Sequence, residues 1–80
     1  LVNIFQIRAA RAWIGLSQEA LAKEAGIAKR TVIRLENSEE PRSERIVEKL
    51  RSTLEKHGIE FLFEGEEGVG LRFRRPKSRP

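Results

Sequence analysis

The sequence predicts a mainly α fold, with about four short helices followed by a β-hairpin. Three observations carry this. Apolar residues recur at helical spacing in successive segments up to His57. Gly26 separates two of these segments so closely that only a tight turn fits between them. After Gly58 the apolar period drops from that of a helix to that of a strand. Eighty residues make one small unit with a modest core.

The first helix is expected over residues 3–14, where Ile4, Ile7, Arg11 and Ile14 share a face. A charged Arg11 on that face is either buried against a carboxylate or a solvated surface arginine. Ser17 caps the next helix; Ala20 stands three residues on, so the cap lacks a reciprocal Glu. Leu21, Ala22 and Ala25 form that helix's apolar side, with Ala22 small enough for a close helix crossing. Gly26 supplies the left-handed backbone of the turn, and Ile27 fills the space beneath it. Val32 and Leu35 then dock a second helix onto the first. Lys29, Arg30, Thr31 and Arg34 are left facing outward. This is the layout of a helix-turn-helix whose second helix can enter the DNA major groove. Arginine can make bidentate contacts to guanine, and threonine can touch a thymine methyl or a phosphate. A solvated basic face is the plainer reading of the same residues.

The segment QEALAKEAGIAKRTVIRLEN, residues 18–37, resembles that of XRE-type, lambda-repressor-like helix-turn-helix regulators. Gln18, Ala22, Gly26, Val32, Leu35, Glu36 and Asn37 fall where that family's motif has them, and the likeness extends from about Gln6 to His57. The resemblance implies double-stranded DNA as partner. It implies that Gln18 contacts a phosphate and often a base, that Lys29, Arg30 and Arg34 read base edges, and that Arg11 pairs with Glu36. Ala28 departs from the pattern, since a Ser or Thr often caps the recognition helix there. The missing cap is worth roughly 0.5–2 kcal/mol.

Residues 38–42 read as a loop, because Pro41 cannot continue a helix interior; Ser43 caps the next helix. Ile46, Val47, Leu50 and Leu54 give that helix a core face, and Gly58 ends it. By analogy Arg42 lies near the DNA backbone or minor groove, although Glu39 and Glu40 in the same loop would oppose a phosphate. Beyond Gly58, Ile59, Phe61 and Phe63 alternate with Glu60, Leu62 and Glu64, and Val69, Leu71 and Phe73 with Gly70, Arg72 and Arg74. The expected loop is 65–68 with Gly68 left-handed, Phe61 facing Phe73, and Glu60 facing Arg74. A slip of two residues would keep the same faces. A lone hairpin is marginal in water, so its apolar face must be covered. It packs either on the chain's own helices, with Trp13 a suitable neighbour, or on a second copy. Phe61, Phe63, Leu71 and Phe73 are the candidate dimer or partner residues. The division is a helix-turn-helix unit at 1–57, a hairpin at 58–75 and a disordered basic tail at 76–80.

The formal charge of +4 suits a polyanionic partner. There is no cysteine and only one histidine, His57, so neither a disulfide framework nor a cysteine- or histidine-rich metal site is available. No nucleophile has a partnered base, and no glycine-rich phosphate loop opens a helix. Neither an enzyme nor a cofactor is expected. No membrane-spanning run or signal peptide is visible, so the expected setting is cytoplasmic and nucleoid-associated. A start at Leu1 rather than Met fits a trimmed chain. The expected function is a transcriptional regulator, most simply a repressor that binds a palindromic operator as a homodimer. The alternative is an antitoxin that holds a toxin through the hairpin while repressing its own operon.

Overall fold

The computed structural model describes residues 1–38 and 43–74. The expectations for Arg42 and for the 76–80 tail fall outside the described residues. Those described form α1 (Ile4–Ile14), α2 (Gln18–Ala25), α3 (Lys29–Glu36), α4 (Glu44–Lys56), β1 (Ile59–Glu64) and β2 (Glu67–Phe73).

Local chemistry sets the helix ends. Asn3 and Gln6 form a reciprocal capping box that opens α1. The Ser17 hydroxyl accepts from the Ala20 backbone N–H, and that of Ser43 from Ile46. Gly26 closes α2 at φ 73°, a conformation that disfavours any residue with a Cβ. Ala28 has the extended backbone of an N-cap, but no side chain caps α3.

The four helices enclose Ile4, Ile7, Ala10, Leu21, Ala22, Val32, Leu35, Val47, Leu50 and Leu54. The hairpin closes this core, with β1 against α4 and β2 against α1. Ile59 and Phe61 of β1 are both buried. Phe63, Leu71 and Phe73 are half-buried against the core. Arg51 of α4 lies 5.7 Å from the centre of the Phe63 ring, a cation–π approach.

The hairpin differs from the expected register by two residues. Ile59 pairs with Phe73, Glu60 with Arg72 and Phe61 with Leu71. Glu60 nevertheless reaches Arg74 diagonally, where Nε donates to the carboxylate at 3.0 Å. The loop is only Gly65-Glu66, and the left-handed glycine is Gly65 (φ 61°) rather than Gly68. A positive φ at the first central position matches the twist of a two-residue hairpin loop.

A bulge explains the rest. Leu62 pairs with Gly70 but Phe63 with Gly68, so Val69 has no partner across the ladder. Val69 was expected on the covered face and is instead 53% exposed. The buried Gln6 side chain sits against the bulge. Its Nε2 donates to the carbonyls of Leu62 (3.0 Å) and Gly70 (3.1 Å), and its Oε1 accepts from the Asn3 backbone N–H. Asn3 Nδ2 donates to the Gly68 carbonyl at 3.2 Å. A Cβ on Gly68 would overlap the Gln6 carboxamide, so this glycine is needed for close approach, not for a turn.

Candidate nucleic-acid interface

α3 buries Val32 and Leu35 and turns a basic side outward. Lys29 and Arg30 are exposed; Thr31 and Arg34 are half-buried. Successive residues advance about 100° around the axis. Arg30 and Arg34 therefore lie close together, with Lys29 on one flank and Thr31 on the other. Ile33 falls between Lys29 and Arg30 on the same side and is half-buried. Sequence reasoning passed over Ile33, yet the helical period alone places it there.

Lys29 Nζ lies 3.9 Å from Glu19 of α2, with both side chains mostly exposed. Such a pair contributes little stability. It leaves Lys29 free to turn toward an incoming phosphate, while Glu19 opposes that phosphate.

A buried carboxylate fixes the angle at which α3 is presented. Glu36 accepts from Arg11 through both oxygens, Nε to Oε2 and Nη2 to Oε1, each at 2.8 Å. Its side chain is 3% exposed and that of Arg11 22%. The hydrogen bonds and charge of Glu36 raise the Arg11 pKa further above its ordinary value, outweighing the opposing effect of burial. Arg11 Nη1 also donates to the Leu16 carbonyl at 3.0 Å, which pins the α1–α2 connection. Gln18 Nε2 donates to Glu36 Oε1 at 3.0 Å. One carboxylate thus joins α1, the first residue of α2 and the last of α3. Planar, two-pronged pairing of this kind fixes geometry as well as charge.

Gln18 is half-buried, and one of its amide hydrogens goes to Glu36. An amide carries two donors, so the second can still serve a phosphate. His57 caps the C-terminal end of α4. Its Nε2 lies 2.6 Å from Glu24, which ties the end of α4 to α2.

Among the described residues no group of three or more His, Asp or Glu side chains is placed to hold a metal ion. No described helix is long and apolar enough to cross a membrane. A family model described as helix-turn-helix matches residues 7–60. No curated protein matches the chain.

Proposed function

Because the chain belongs to the XRE-type, lambda-repressor-like helix-turn-helix family, whose domain binds DNA and is not catalytic, we propose that it is a sequence-specific transcriptional repressor acting as a homodimer on a palindromic operator. The observation that carries this is the outward basic side of α3, held by the Arg11–Glu36–Gln18 cluster. Arg30 and Arg34 reach base edges in the major groove, where arginine pairs with guanine. Ile33 lies between Lys29 and Arg30 and offers apolar contact to a thymine methyl. Lys29, Thr31 and Gln18 hold phosphates, which fixes the register of the domain on the duplex. Arg42 follows α3 in sequence and adds a backbone contact. Occupancy of the operator excludes the polymerase, the simplest outcome of binding there.

Exposed Phe61, Phe63 and Phe73 would support the antitoxin reading, which is compatible with repression of its own operon. Phe61 lies in the chain's own core and the other two are half-buried against it, so the regulator is favoured.

Selection of bound duplexes from a random DNA library tests the proposal. Enrichment of a spaced inverted repeat is the expected result. A single enriched half-site removes the homodimer, and no enrichment at all overturns the regulator.

A further inference from the structure

We propose that a second copy of this chain docks, across a two-fold axis, on the strip between α1 and β2. The proposal rests on the operator reading above and supplies the surface that the homodimer uses. Four large apolar side chains are exposed among the described residues, and three lie on this side: Phe5 (69%), Trp13 (55%) and Val69 (53%). Phe5, Ala9 and Trp13 recur every fourth residue and so form one stripe along α1. Val69 is turned out by the bulge in β2. An open groove of about 530 Å³ lies between them, with Phe5, Ala9, Val69 and Leu71 among its lining and Asn3 and Glu67 at its polar part. At the other end the Trp13 ring meets Phe73, with centroids 6.1 Å apart. A contiguous apolar strip on a small domain marks an interaction surface.

Charge identifies the occupant as the same chain. β2 runs from an acidic tip, with Glu64, Glu66 and Glu67 around the turn, to a basic end at Arg72 and Arg74. Both arginines approach Glu60 yet remain 57% and 66% exposed. A two-fold axis lays each acidic tip over the partner's basic end. Parallel stacking would set like charge on like. The surface is therefore complementary to itself, as an isologous interface requires.

Geometry agrees with two half-sites. Ala9, in the middle of the stripe, lies about 200° around α1 from Arg11, which is tied to α3 through Glu36. The strip therefore faces away from the recognition helix. Packed helices lie roughly 8–10 Å apart. Two α1 helices packed across the axis, each with α3 behind it, set the recognition helices roughly 24–30 Å apart. That approaches the ~34 Å of one DNA turn. The contact is between side chains, not an extended sheet. The bulge interrupts β2, and the Gly68 and Gly70 carbonyls are taken by Asn3 and Gln6.

Sedimentation of the full chain tests this, with half-site DNA binding measured alongside. The wild type is expected to form a concentration-dependent dimer. Phe5→Glu and Val69→Glu should weaken it by about tenfold or more while keeping the wild-type circular dichroism and half-site affinity. Glu67→Arg and Arg72→Glu should each weaken it alone. An equimolar mixture of those two should restore it, because the mixed dimer has opposite charges at both contacts. A wild type that stays monomeric overturns the proposal, as does a dimer indifferent to Phe5→Glu and Val69→Glu, or a strip occupied only by a different protein. Half-site binding by a monomeric wild type would leave the DNA reading standing and the docking surface refuted. A dimer with the expected variant pattern but no DNA retention would do the reverse.

Discussion

Glu36 is the residue on which the site's geometry turns. It is buried, negatively charged, and held by Arg11 and Gln18. Removing one partner of a buried pair leaves a charge uncompensated. Glu36→Ala should therefore cost about 3–5 kcal/mol by denaturant unfolding, toward the lower end because Arg11 keeps some contact with water. Arg34 tests recognition instead. Arg34→Ala should lose about 1–3 kcal/mol of binding to the selected operator and relax preference at one base position. Equal losses on selected and randomised duplexes would remove its base-reading role. Gly68→Ala drives a methyl into the Gln6 carboxamide and should destabilise the fold by about 1–3 kcal/mol. In a Gln6→Ala background the same change should cost much less. A double-mutant cycle measures that coupling, and strict additivity would refute the contact. Nothing local in the sequence announces the Gln6–Gly68 contact, because the partners lie far apart along the chain.

At the scale of elements, α3 is the weakest-capped helix of the four. Ala28 already has an N-cap backbone, so only a side-chain acceptor is missing. Ala28→Ser should add roughly 0.5–2 kcal/mol of stability, read from the denaturation midpoint at unchanged slope. No gain would mean that the first turn of α3 is satisfied otherwise. Helix positions were legible because their apolar faces, serine caps and Gly26 are local signals. The strands were legible from their alternation, but their register was not. Register depends on where the loop closes and whether a residue bulges. The loop closes at the left-handed Gly65, and α1 holds the bulge, since its Gln6 donates to two hairpin carbonyls.

For the whole molecule, the sum of charges becomes measurable on DNA. If Lys29, Arg30, Arg34 and Arg42 from two copies engage a duplex, several counterions leave with each binding event. The logarithm of affinity should fall linearly with the logarithm of salt, with a slope of about −0.9 per phosphate neutralised. A flat salt dependence would exclude such an interface. By itself the sequence determined the four helices, the hairpin, the outward basic side of α3 and the family, because each is written in residues near one another along the chain. Tertiary packing alone decided that Gln18 leans on Glu36, that Phe61 joins the chain's own core, and that Val69 with Phe5 and Trp13 remains uncovered. Those outcomes depend on which distant surfaces compete for the same apolar face and the same carbonyl oxygens, and periodicity carries no record of that competition.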